Sequence, residues 1–173
     1  KKTWVYDVAT SEWHEEDWFN AATGLFEQIR SRVHAAVWNQ HFVGDHATGD
    51  IYTQSINYFD DNGVPIRRRR RCPHLSQEQL WQFYDQFQLD LEVGAGIAGS
   101  ATVPKVILRW SDDGGKTWSN DYPVSAGLVG AYNTRAQWNR LGRARDRVFE
   151  VEIDDPIKVA MVNAYLQVKT GTS

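Results

Sequence analysis

The segment that most limits what this chain can fold into is Arg109-Trp110-Ser111-Asp112-Asp113-Gly114-Gly115-Lys116-Thr117-Trp118. Val103 to Trp110 is apolar and rich in β-branched residues, the composition of a strand, and Thr117 and Trp118 are expected to restart one. Between them, Asp-Asp-Gly-Gly forms a turn. Asp accepts bonds from its own backbone two residues on, and Gly reaches positive φ without a Cβ clash. A chain that must reverse here, between apolar strands, points to a β fold.

The spacing Ser111-x-Asp113-x-Gly115-x-Thr117-Trp118 resembles an Asp-box, a hairpin turn of sialidase-like β-propellers and other β-rich folds. The resemblance implies that the Asp113 carboxylate bonds turn amides and that the Trp118 indole packs beneath the loop. The motif is a fold device and brings no catalysis with it.

Eight Trp, seven Tyr and seven Phe in 173 residues favour strands over helices. Asp7-Val8-Ala9-Thr10-Ser11-Glu12-Trp13 reads as a blade hairpin, and Asn20 to Glu27 as a loop, with a short helix the lesser alternative. Strands are expected at Arg32–Trp38, with a turn at Asn39-Gln40, and at Ile51–Ile56. Asp60-Asp61-Asn62-Gly63 signals a primed hairpin turn. Ser76 to Gln79 offers a helix start. Trp81, Phe83, Phe87, Leu89 and Leu91 share one parity of a strand, followed by a loop over Gly94–Ser100. Tyr122 to Gly130 is irregular; Tyr132, Thr134, Ala136 and Trp138 share a face; Phe149, Val151 and Ile153 face the core; Ile157 to Val168 is a last strand. The expected fold is therefore all-β, with about a dozen antiparallel strands and at most one short helix. β-Propeller-like blades are the first arrangement, a compact β-sandwich the second. Blade hairpins are assigned to residues 1–72 and a C-terminal β module to 73–173.

Function must be sought without the common chemistries. The chain contains no Gly-x-Ser-x-Gly, Walker loop or His-Glu-x-x-His, so no catalytic residue and no cofactor is nominated. Cys72 is the single cysteine, which leaves no internal disulfide or cysteine cluster and fits assembly in a reducing compartment. His41, Asp45 and His46 are near in sequence but face differently, so no metal is assigned to them. No apolar run is long enough for a membrane helix. The net charge of −3 is not that of a general nucleic-acid binder. Arg67, Arg68, Arg69, Arg70 and Arg71 form a run that invites a nucleic-acid reading. On a strand the run splits, with Arg68 and Arg70 on one side and Arg67, Arg69 and Arg71 on the other. Buried guanidinium groups would require carboxylate partners, so the run is read as a structural or interface element.

Several blocks together resemble a known family. They are Leu108 to Asn120, Gly130 to Arg135, Trp138 to Val151 and Asp155 to Ala160, with His46–Tyr52, Asp61–Arg68 and Phe87–Gly94 upstream. This order is similar to the packaged-DNA stabilisation proteins of short-tailed bacteriophages, the tail hub or head-completion proteins. The resemblance implies a non-enzymatic structural protein in the virion tail, assembled in the host bacterial cytoplasm. Its implied partners are the portal and adaptor ring, the tail spike and the needle, within a ring-shaped homo-oligomer that touches DNA indirectly and no membrane. The chain begins in a strand without an initiator Met and is expected to be a C-terminal portion of a longer protein. A glycan- or receptor-binding β module is the first alternative, and a sialidase-like propeller enzyme using Arg, Tyr and an acidic partner the second.

Overall fold

The computed structural model describes residues 2–91, 103–127 and 135–171. Among these the chain has seventeen β-strands and no helix, so it is all-β. The count exceeds a dozen because several arms are only two to four residues long, too short for alternation to reveal. Two compact units form, Lys1–Ile66 and Arg67–Ser173. The division falls after Ile66 rather than after Cys72, because the arginine strand pairs within the second unit. The expected loop over Gly94–Ser100, and Leu128–Gly130, Tyr132 and Thr134, lie outside the described residues.

In the first unit, β1 (Thr3–Asp7), β2 (Glu12–Asn20) and β3 (Leu25–Gln28) form one antiparallel sheet. A second holds β4 (Ser31–Val37), β5 (Gln40–Asp45) and β6 (Ile51–Gln54), and β7 (Asp60–Asp61) pairs with β8 (Val64–Pro65). One turn recurs three times, as Asp7-x-Ala9-Thr10-Ser11, Asn20-x-Ala22-Thr23-Gly24 and Asp45-x-Ala47-Thr48-Gly49. In each, the Asx oxygen accepts the Ala amide two residues on, at 2.8, 3.0 and 2.7 Å. The fifth residue then takes positive φ, 59°, 68° and 79°. This Asx turn makes Asn20–Gly24 a hairpin turn and Leu25–Gln28 a strand where only a loop was expected. Asn62 and Gly63 both have positive φ, as a primed turn requires, and the turn before β5 sits at Trp38-Asn39, one residue earlier than its composition suggests. Among the described residues these hairpins do not close into a propeller. Asp45 is the single buried residue described in this unit, while Trp4, Trp13, Trp38 and Ile56 stand exposed.

The second unit is the sandwich that was the alternative expectation. One sheet carries β12 (Lys105–Ser111) between β13 (Tyr122–Ser125) and β16 (Asp146–Ile153). The short strands β9 (Arg68–Arg71) and β10 (Leu75–Ser76) both pair with β16. The other sheet is centred on β11 (Gln82–Leu91), flanked by β17 (Met161–Thr170) and by β14 (Ala136–Asn139) with β15 (Arg143–Ala144). Tyr122 to Ser125 is thus a paired strand rather than irregular chain, and the strand after the Asp-Gly turn resumes at Tyr122, not at Thr117. The last strand likewise begins at Met161 rather than Ile157.

Phe149 joins the sheets. Its ring meets Tyr84 edge-on at 5.5 Å and lies 5.3 Å from Phe87, with Leu108, Val151 and Ile153 buried in the same cluster. Each such side chain contributes about 1.5–3 kcal/mol by leaving water. The expected single parity of Trp81 to Leu91 fails. A β-bulge between Tyr84 and Gln86 adds one residue, so Gln82 and Tyr84 face inward before it and Phe87 and Leu89 after it. Trp81 and Phe83 are consequently turned out, about two-fifths exposed. The expected helix start is also absent: Ser76 closes β10, and Glu78 and Gln79 take positive φ in a turn closed by Leu80 N–H to Gln77 O at 2.8 Å.

Candidate functional site

The Asp-Gly turn is built by two side chains. The Asp113 carboxylate accepts the amides of Lys116 and Thr117, each at 2.9 Å, and the hydroxyls of Thr117 at 2.6 Å and Ser111 at 2.7 Å. The Ser111 oxygen in turn accepts the Gly115 amide at 2.8 Å. Gly115 has φ +91°, and a Cβ there would lie 3.6 Å from the Trp118 ring, so the half-buried indole sits directly against the turn. The Thr117 hydroxyl and amide and the Ser111 hydroxyl hold the Asp113 carboxyl well below its ordinary value of 3.8. Its folded-state value is depressed, so its stabilisation is present above the ordinary carboxylate range and is lost as pH falls toward the folded value. Asp113→Asn is therefore expected to lose stability at neutral pH, with the gap to wild type closing as pH drops below about 4; a gap unchanged from pH 7 to 3 overturns the assignment. Ser111→Ala, at a buried position, is expected to cost about 1–3 kcal/mol in denaturant titration.

The five arginines do not form a free plate. β9 pairs with β16 so that Arg71 lies opposite Glu150 and Arg69 opposite Glu152. Arg67 reaches Glu152 at 3.3 Å, Arg69 reaches Glu150 at 3.7 Å, and Arg71 reaches Glu150 at 2.5 Å. From β12, Arg109 bonds Glu152, lies 3.5 Å from Glu150 and lies 3.4 Å from Asp121. Both glutamates are nearly fully buried on the face of the sheet away from the core. Four guanidinium groups thus shield two carboxylates, and Arg71 also covers the Trp118 ring at 4.9 Å. On the opposite parity, Arg68 donates to the Asp155 carbonyl at 3.3 Å and Arg70 is exposed.

Arg147 was not singled out by sequence reasoning, yet it is the one fully buried arginine among the described residues, 2% exposed. It grips Asp112 with two parallel bonds of 2.6 and 2.7 Å and donates to the Leu141 carbonyl at 2.5 Å. Tyr84 lies 4.6 Å and Trp110 5.2 Å from its guanidinium carbon. It ties β16 to the Asp-Gly turn on one side and to the β14–β15 turn on the other.

A family model described as bacteriophage P22 Gp10, β-sandwich, matches residues 67–169. The chain belongs to that family. A search of curated protein sequences finds no match. Membership makes this a bacteriophage structural protein, and the matched span coincides with the two-sheet unit just described.

On the outer face of the Gp10 β-sandwich, Gln86, Gln88, Asp90, Arg135, Tyr165 and Gln167 line an open groove of about 500 Å³. The β-bulge that turns Tyr84 inward also turns Gln86 and Gln88 out to this groove. Outside the family-matched span, His41 stacks on His34, with ring nitrogens 2.9 Å apart, whereas His46 bonds the Arg30 carbonyl. His41, Asp45 and His46 therefore do not converge, and no group of three metal-ligating side chains occurs among the described residues. No described helix is long and apolar enough to cross a membrane.

Proposed function

We propose that this chain is a non-enzymatic part of the tail hub that closes the portal of a short-tailed phage and retains the packaged DNA. The family match carries the reading. The sandwich supports it physically: an ion-paired sheet face and an arginine clamp make a stiff module, suited to repeated assembly around a symmetry axis. The Asp-box assignment of Ser111, Asp113, Gly115, Thr117 and Trp118 is consistent with that rigidity. In this reading the chain works in the virion tail after assembly in the host cytoplasm, as a ring-shaped homo-oligomer against the portal and adaptor ring, the spike and the needle. DNA contact is indirect, because Arg67, Arg69 and Arg71 already engage buried carboxylates.

Light scattering of the purified chain, alone and with the portal–adaptor assembly, tests it. Saturable co-assembly at a fixed ratio is expected. A full-length gene product that remains monomeric and ignores the assembly overturns it. The groove favours a second reading, glycan binding: amides of Gln86, Gln88 and Gln167 suit sugar hydroxyls, and the half-exposed Tyr165 ring suits a sugar face. Binding on a glycan array that is abolished by Tyr165→Ala would select it.

A further inference from the structure

Arginines that remain available lie outside the five-residue run as well as within it, where Arg70 is exposed. Residues 67–173 carry fifteen Lys and Arg against twelve Asp and Glu, a positive excess. Arg67, Arg69, Arg71, Arg109 and Arg147 are committed to carboxylates of the same unit. Arg143 and Arg145 are exposed, and neither has an ion-pair partner among the described residues. Their guanidinium carbons lie 4.7 and 5.0 Å from the Trp81 ring centre. Stacking holds the two groups over the indole while leaving their N–H edges free, the arrangement that receives a carboxylate bidentately.

The surroundings are apolar rather than simply basic. β11 and β15 place Phe83 directly opposite Arg143, and Phe83 is 40% exposed. A Cβ on Gly171 would come within 2.9 Å of the Phe83 ring, so the ring is held by backbone on that side. Two charged pairs of the same unit are already closed: Lys169 with Asp85 at 2.5 Å, and Asp146 with His74 at 2.9 Å. The patch is therefore Trp, Phe and two unpaired Arg on a rigid sheet edge. Trp and Arg are the residues that dominate protein–protein hot spots.

We propose that Trp81, Phe83, Arg143 and Arg145 form a docking site for an acidic protein segment. Carboxylates of that segment take the guanidinium edges, and an apolar side chain between them covers Trp81 and Phe83. Charge complementarity selects an acidic partner, and the patch composition selects protein over nucleic acid. Two stacked arginines make a spot, whereas a duplex is held by a basic stripe that follows its phosphates. The site stands independently of the tail-hub reading.

The test uses the whole chain and a short fluorescein-labelled Glu-rich peptide with interspersed Leu, beside a duplex oligonucleotide of equal charge. Anisotropy should show saturable peptide binding that weakens at least about tenfold in Arg143→Gln/Arg145→Gln. The equally discharged Lys105→Gln/Lys116→Gln protein should bind as wild type does. In a nitrogen-15 spectrum, the Trp81 indole N–H, assigned with Trp81→Phe, should shift on titration. Tighter binding of the oligonucleotide, equal loss in the lysine control, an unmoved Trp81 resonance, or no saturable binding would each overturn the proposal.

Discussion

Arg147→Ala is expected to destabilise the sandwich by about 3–5 kcal/mol. The side chain is 2% exposed, so its loss leaves a cavity lined by Tyr84, Trp110 and Phe149. It also strips the Leu141 carbonyl and the Asp112 carboxylate of their donors. The two bonds to Asp112 matter less by their charge, because Asp112 is half-exposed and solvent screens it. What cannot be replaced by water is the packing between rings and the bond to Leu141. Arg147→Lys should fall between the two, since an ammonium keeps the charge but cannot form the parallel bonds or stack flat on Tyr84. Native-state hydrogen exchange at the amides of β16 and β11 reads this unit alone, which a global melt of a two-unit chain does not. A loss under about 1 kcal/mol, or a lysine variant equal to wild type, would show that Arg147 is not what joins the turns.

Why sequence reasoning passed over Arg147 follows from where its partners lie. Asp112 is thirty-five residues away and the Leu141 carbonyl belongs to a turn, so no local spacing connects them. The same holds for the bulge in β11. Tyr84 and Asp85 exchange backbone bonds with Arg140, Leu141 and Gly142, and that tertiary pairing inserts the extra residue. Period-two alternation was the right signal for a strand but could not report the shift that sends Trp81 and Phe83 outward. Local chemistry fared better where it was sufficient by itself. Asn62-Gly63 turns as its φ preferences demand, and the alternation of Arg67 to Arg71 correctly separated two faces. The Asx-x-Ala-Thr turn stands in the sequence at positions 7, 20 and 45, yet its recurrence emerges only when all three copies are set side by side. Phe149, Val151 and Ile153 were readable as core, but the burial of Glu150 and Glu152 was not, because it depends on guanidinium groups from two neighbouring strands.

Those two glutamates carry the other large effect. Glu150→Ala should cost about 3–5 kcal/mol, because it removes the common partner of Arg69, Arg71 and Arg109 and leaves their like charges facing one another. The arginines themselves should behave unequally. Arg71 is half-exposed, so Arg71→Ala is expected to cost only about 0–1 kcal/mol as an ion pair. Arg109 is enclosed further, and its buried Nε makes no hydrogen bond among the described residues although Asp121 lies 3.4 Å away. Replacing Glu150 and the part-buried Arg109 together, Glu150→Leu with Arg109→Leu, should recover part of the loss, since apolar side chains of similar volume remove the need to desolvate that pair, although Glu152 also loses its Arg109 donor. A coupling of about 0.5–3 kcal/mol between the two sites is the expected result of that cycle. Additive losses would mean that the carboxylate acts through Arg69 and Arg71 alone. A Glu150→Ala protein within about 1 kcal/mol of wild type would mean that the arginine face holds itself open to solvent without its buried anions.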